Sequence, residues 1–407
     1  MMRRILSVVL SAVLLLMPAA FGEQMTMNDY EPLSKLAEKS GFKMGAPLSY
    51  SQMKDALYLN LLARHFASVT PTNEMKAYSL LDQQASRKSE DGMPRMNYAQ
   101  ADKMVAWARE KGLGVRGHTL CWDAYMTEWF FHENYDSSAP IADRETMRLR
   151  LKSYIEQVVT HFETEFPGTV YCWDVVNEAV GDSITDYDAS DARHIRVNRS
   201  GNINVFREYV GEDYVEYAFL CARDTVEALG CDTKLYYNDY NAFYTEKRNA
   251  ILALTESINS YAPDGNGGYR RLVDGVGMQG YIGGYGQQQG CMNDGDLPLI
   301  KNSILAYADA GLEVQITEMA VRNYDRDQAQ KHAEFYARLF KVFRSVDSGE
   351  EKPLVAVSIW GLTDNPLVPK NDYNYSMNST YGGLITERLL PKAATELVYE
   401  VLREAEG

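Results

Sequence analysis

The chain is 407 residues long, 45% hydrophobic and 24% charged, with a formal net charge of −15. This composition supplies a large core and excludes a mostly disordered, collagen-like or polytopic membrane protein. The acidic balance argues against a nucleic-acid partner, since phosphate binding needs a basic footprint; it fits a protein acting on neutral or weakly charged substrates.

The first element is a targeting pattern. Arg3 and Arg4 precede an apolar run from Ile5 to Met17, and small residues follow at Pro18, Ala19, Ala20 and Gly22. Residues 1–22 read as a signal peptide, which predicts secretion to the cell exterior or the periplasm. An uncleaved anchor is the alternative, although the run is short for a membrane span. Residues 23–407 are then expected to form a single domain and a monomer. Five cysteines (Cys121, Cys172, Cys221, Cys231, Cys291) occur without a CxxC, and the six histidines lack metal-ligand spacing. Free, mostly buried thiols and no metal site are expected.

Beyond the leader, short apolar runs alternate with amphipathic segments. Eight strands are predicted: Phe42–Ala46, Phe66–Thr70, Gly112–His118, Thr169–Asn177, Lys234–Asn238, Val273–Gly280, Leu312–Thr317 and Val355–Trp360. Helices are predicted between them. One is capped by Asn97 and ends at Glu110, with Gly112 just beyond. Another spans Arg144–Phe166, carries Leu149, Ile155, Val158, Val159 and Phe162 at helical spacing, and stops at Pro167-Gly168. Further helices cover Gly211–Leu229, Glu246–Tyr261, Leu297–Ala310, Asp327–Val346 and Ala393–Glu404. The stretch Gly283–Gly290 reads as a flexible loop. Eight βα units fit an α/β fold closed as a (β/α)8 TIM barrel, with a doubly wound open sheet as the alternative.

A barrel places its chemistry where strands end. The fourth predicted strand delivers Glu178 there and the seventh delivers Glu318. Two facing carboxyls are the minimum equipment for glycoside hydrolysis: one protonated, the other ionised. Polar and aromatic groups accompany them at other strand ends, including Asn73, Lys76, His118, Trp122, Gln279 and Trp360. Aromatic faces stack on sugar C–H faces, and amides, His and Lys hydrogen-bond the hydroxyl rim.

The motifs VTPxNEMK, GHTLxW, WDVVNE, GxGMQG, ITE and WGxTD stand in this order between about Phe42 and Leu402. In this the chain resembles glycoside hydrolase family 10, the endo-β-1,4-xylanases. The resemblance implies a (β/α)8 barrel, a retaining mechanism, a xylan or related β-glycan polysaccharide as substrate, and no cofactor. It implies Glu178 as acid/base, Glu318 as nucleophile, Asn177 on the sugar 2-hydroxyl, and Asn73, Lys76, His118, Trp122, Gln279 and Trp360 lining the sugar subsites. The charge of Glu318 is then expected to hold the Glu178 proton until the nucleophile is esterified.

Five positions depart from the family pattern. Thr72 stands where Glu is usual, Asp123 where a second His is usual, Tyr281 where a His follows the Gln, and Ala320 where an Asp follows the nucleophile. The segment Asn365-Pro366-Leu367-Val368 lacks a second Trp, for which Tyr373, Tyr375 or Tyr381 are candidate substitutes. In the family the His binds the nucleophile and the Asp orients that His. With both gone, the phenol of Tyr281 is expected to donate to Glu318 directly; a packing role for Tyr281 is the alternative. Two further readings of the whole chain stay open: a retaining glycanase acting on another β-glycan, and a weakly active glycan-binding relative. Gly275–Gly280 also matches GxGxxG, but no helix follows it, so a dinucleotide site is not expected.

Overall fold

The computed structural model describes residues 25–282, 292–346, 352–367 and 379–404. The predicted leader, the Gly283–Gly290 loop, Cys291, Tyr373 and Tyr375 lie outside the described residues. Eight parallel strands close on themselves: β1 (Lys43–Leu48), β2 (Ser68–Pro71), β3 (Gly114–Cys121), β4 (Val170–Asn177), β5 (Lys234–Asp239), β6 (Gly275–Met278), β7 (Glu313–Val321) and β8 (Leu354–Ile359). Each pairs with the next, and β8 pairs with both β7 and β1, so no edge is left exposed. The strands are buried nearly throughout, as a sheet covered by helices on one face and filled by side chains on the other must be. The fold is a (β/α)8 barrel.

The helices outside it are α1 (Ala56–His65), α2 (Ala99–Glu110), α3 (Arg144–Glu165), α4 (Tyr214–Leu229), α5 (Thr245–Asn259), α6 (Asp296–Asp309), α7 (Ala329–Ser345) and α8 (Ala393–Arg403). Their ends follow local chemistry. Asp143 caps α3 by accepting from the Thr146 N–H at 3.0 Å, and Gly230, at φ 64°, ends α4 in the left-handed region. Asn97 acts one residue earlier than predicted: its side chain accepts from the Ala99 N–H, and α2 begins there.

Other boundaries also differ. Helix α1 and a short helix at Leu33–Lys39 were not predicted, and α4 starts at Tyr214 instead of Gly211. The sixth strand breaks at Gln279-Gly280, where Gly280 has φ 76°, and resumes as Tyr281–Ile282 against Ala320–Val321. That extra pairing carries β7 four residues past Thr317 to Val321, so Glu318 lies within the strand and not beyond it. Among the described residues Cys121, Cys172, Cys221 and Cys231 are free thiols.

Inside the barrel, Arg116 of β3 forms a two-pronged ion pair with Asp174 of β4, both fully buried. Burial works against the guanidinium charge, but Asp174 holds its pKa above the ordinary value. Asp174 also receives His118 Nδ1 at 2.8 Å, which fixes that ring at the mouth of the barrel.

Candidate active site

The C-terminal ends of the strands surround a cavity of about 520 Å³. Lys76, His118, Trp122, Glu178, Tyr281, Glu318 and Trp360 line it. Three other predicted residues stand behind this lining. Asn73 accepts from Lys76 Nζ at 3.2 Å, Gln279 reaches Glu178, and Asn177 is buried beneath the two carboxyls.

Local backbone irregularities aim these groups. Glu178 follows β4 with φ 56°, a left-handed conformation that costs a non-glycine residue about 1–2 kcal/mol. Hydrogen bonds hold it there: its N–H donates to Asn238 O at 2.9 Å and its carbonyl accepts from Arg199 Nη2 at 3.0 Å. On β7 the register against β8 shifts between Ile316 and Met319. A shift of this kind suspends strict alternation, so the neighbouring Thr317 and Glu318 both reach Asn238.

Three amides connect the two carboxyls. Gln279 Nε2 donates to Glu178 Oε1 at 2.9 Å and to Asn177 Oδ1 at 3.3 Å. Asn238 Nδ2 donates to the same Asn177 Oδ1 at 2.9 Å and to Glu318 Oε1 at 3.1 Å. The Asn238 carbonyl accepts from Thr317 Oγ1 at 2.7 Å, which fixes the amide's orientation. Because Asn177 Oδ1 takes both bonds, Asn177 Nδ2 is turned away from them; it is buried and has no hydrogen-bond partner among the described residues. A buried unsatisfied donor beside two carboxyls is suited to an incoming hydroxyl.

Glu318 has a second donor. The Tyr281 hydroxyl lies 2.5 Å from Glu318 Oε2, and Ala320 sits directly across the strand pair from Tyr281. Tyr281, Ala320 and Trp360 pack together, with Tyr240 against them. Aromatic rings continue the wall: Trp360 lies edge-on to His118 at 6.5 Å, and the Trp122 and Tyr125 rings meet at 4.4 Å, tilted by 36°. Lys76 Nζ sits over both the Trp122 and Tyr125 rings. Burial lowers the Lys76 pKa, while Glu318 and Glu178 oppose that shift.

The proton on Glu178 has a different chief cause from the one the sequence led us to expect. Burial raises its pKa from 4.5 to about 7; Arg199 opposes this, and Asp239 adds to it. The charge of Glu318 contributes only a smaller push in the same direction. A carboxyl in this range is protonated near neutrality and can still ionise.

Several site residues were missed in the sequence. Asn238 is the next-to-last residue of β5 and was readable by the same strand-end rule that found Glu178 and Gln279. Arg199 carries no comparable signal. It sits on a small antiparallel ribbon, Asn198–Arg199 against Asn202–Ile203, inside the long β4–α4 connection. Its turn residues Ser200 and Gly201 both have positive φ, as tight hairpins require. Arg196, Asp182, Asp186 and Tyr240 complete that side of the cavity. Tyr381, a proposed substitute for the missing Trp, is half-buried and does not line it; Leu367, in the segment lacking Trp, is 89% exposed. Among the described residues no group of three or more His, Cys, Asp or Glu is placed to hold a metal.

A (β/α)8 barrel with two buried, hydrogen-bonded carboxyls facing one aromatic-walled cleft is built as a glycoside hydrolase. Comparison with known proteins identifies which kind. The model of glycosyl hydrolase family 10 matches residues 32–394, and the chain belongs to that family. A protein of Caldicellulosiruptor saccharolyticus described as a putative endo-1,4-beta-xylanase is 33% identical over 306 residues, covering 73% of this chain and 89% of its own. Endo-1,4-beta-xylanase B of Butyrivibrio fibrisolvens is 30% identical over 335 residues, covering 81% of this chain and 47% of the relative. This chain thus spans most of the first relative and less than half of the second. Among solved structures, native xylanase 10B from Thermotoga maritima superposes with a TM-score of 0.68 at 27% identity, covering 92% of this chain and 99% of that one. The CBM22-1–GH10 modules of a Clostridium thermocellum xylanase, complexed with xylohexaose, give a TM-score of 0.76 at 26% identity, covering 93% and 69%.

Proposed function

We propose that the protein is an exported endo-β-1,4-xylanase that cleaves internal bonds of xylan with retention of anomeric configuration. Glu178 acts as acid/base and Glu318 as nucleophile. The observation that carries this reading is the amide relay from Glu178 to Glu318, with the Asn177 Nδ2 donor left for a substrate hydroxyl. In the first step Glu178 gives its proton to the leaving glycosidic oxygen as a Glu318 oxygen bonds to the anomeric carbon. In the second, Glu178 takes a proton from water, the water oxygen attacks that carbon, and Glu318 leaves as a carboxylate. Asn177 strengthens its bond to the 2-hydroxyl as positive charge builds on the ring. Asn73, Lys76, His118, Trp122, Gln279 and Trp360 hold the sugars about the scissile bond.

The relatives named as endo-1,4-beta-xylanases support xylan as substrate. A second reading, a retaining glycanase for another β-glycan, draws on the exposed Leu367 in the segment lacking Trp and on a 28% identical relative named an exoglucanase. Export rests on the predicted leader. The deciding experiment follows reducing-sugar release from unsubstituted xylan, decorated xylan and mixed-linkage glucan, with the product anomer read by NMR. Wild-type turnover of xylan to the β-anomer, lost in Glu178→Ala and Glu318→Ala, is the expected result. Preference for glucan would establish the second reading, and an initial α-product would overturn retention.

A further inference from the structure

Arg199 makes four donor contacts, and they divide evenly between two acidic residues. Nε and Nη2 donate to Asp123 Oδ2 and Oδ1 at 3.1 and 2.8 Å; Nη1 donates to Glu178 Oε2 at 3.0 Å, and Nη2 also to the Glu178 carbonyl at 3.0 Å. The guanidinium side chain is 23% exposed and lines the cavity, while both carboxylates are buried. Asp123 is one of the positions where the sequence departs from its family, and here it anchors Arg199. Charged groups facing Glu178 from the packed elements are Arg196 and Arg199 on the β4–α4 connection, Asp239 at the end of β5, Glu318 on β7 and Lys76 after β2. Of these, only Arg199 touches the Glu178 carboxyl.

We infer that Arg199, held by Asp123, is a positioning residue for Glu178 that supports its return as a base in the second half of the reaction. The inference rests on the proposed retaining mechanism and deepens it. A buried carboxyl favours its neutral form, which suits the acid that opens the reaction. The same preference hinders the second half, where Glu178 must be ionised to take a proton from water. A guanidinium at hydrogen-bond distance favours the ionised form. Asp123 supplies what a cycling partner needs: when Glu178 is protonated, the Arg199 charge is still paired, so the side chain keeps its place for the next half-reaction. The second contact, to the Glu178 carbonyl, steadies the left-handed backbone from which the carboxyl projects.

The test compares wild type with Arg199→Met, Arg199→Lys and Asp123→Asn across pH, on xylohexaose and on an aryl β-xylobioside with a good leaving group. The aryl substrate needs little acid assistance, so its turnover reports the second half-reaction. In Arg199→Met the alkaline limb of kcat/KM on xylohexaose should move up by about one pH unit or more. On the aryl substrate kcat should fall about tenfold or more with KM falling in parallel, and a burst of aryl alcohol should appear as glycosyl-enzyme accumulates. Arg199→Lys should recover part of both effects, and Asp123→Asn should move the same quantities less. Variants whose kcat falls equally at every pH, with KM and both limbs in place, would show Arg199 to be structural only. Wild type that releases no sugar, or is indifferent to Glu178→Gln, would instead overturn the hydrolase reading itself.

Discussion

The Tyr281 hydroxyl donates to the Glu318 carboxylate, 2.5 Å from Oε2, with Ala320 directly opposite on the paired strand. An imidazole at this place needs a carboxylate to hold its tautomer; a phenol has one proton and one direction to give it. The absence of an acid at position 320 therefore follows from the Tyr at 281, since a carboxyl there would be buried without a partner. Removing the phenol takes away one of the two donors to Glu318 among the described residues. A hydrogen bond to a charged group is worth about 1.5–3 kcal/mol, so Tyr281→Phe should lower kcat/KM by about 10- to 100-fold. Steady-state kinetics on xylohexaose check this, and a rate within twofold of wild type would assign Tyr281 to packing.

Asn238 is the other donor to Glu318, and it also fixes which way Asn177 points. Its loss should be felt at both positions. Asn238→Ala is expected to lower kcat by about 100-fold or more with a small change in KM, because the bonds involved strengthen in the transition state. A purely higher KM would place Asn238 in ground-state binding.

Gly277 lies on β6 beside this amide. A Cβ added there would stand 2.2 Å from Asn238 Oδ1 and 2.9 Å from the Thr317 methyl. The second glycine of the GxGMQG motif thus makes room for the relay. Gly277→Ala should cost about 1–3 kcal/mol of stability, as overpacked cores do, and should lower kcat in the same direction as Asn238→Ala. Urea unfolding together with kcat measures both; a stable variant with full activity would refute the close-packing account.

Much of the barrel could be read from its sequence because a parallel strand buried on both faces is a short apolar run between amphipathic helices. All eight strands were visible for that reason. Glu178 and Gln279 were visible because the strand ends point at one place. Glu318 was found, but its true position inside β7 was not: the extension depends on Tyr281–Ile282 pairing with Ala320–Val321, a contact between segments 39 apart in number. The larger cause of the Glu178 proton, burial, was missed for a related reason. Charge partners can be guessed from motifs, whereas burial is a property of everything packed around a group. Arg199 was out of reach altogether. Its ribbon lies in an irregular connection whose local pattern says nothing of the carboxyls it meets, and only the folded chain brings residue 199 to residues 123 and 178.

Holding a proton on Glu178 has a stability consequence with a definite sign. Its pKa is raised from 4.5 to about 7 on folding, so between those values the folded chain binds a proton that the unfolded chain has released. Stability from this group is therefore greatest below the unfolded value and falls as pH rises through the window to about 7. The full difference corresponds to about 3 kcal/mol, withdrawn by pH 8. Glu178→Gln removes the titration while keeping an acceptor for Arg199, whose charge Asp123 still pairs. The variant should be inactive yet more stable than wild type at pH 8, by about 1–3 kcal/mol, with the gap closing towards pH 4.5. Denaturant unfolding at several pH values reads this directly. A gap of constant size from pH 4.5 to 8 would mean that Glu178 does not carry a burial-raised proton in the folded protein.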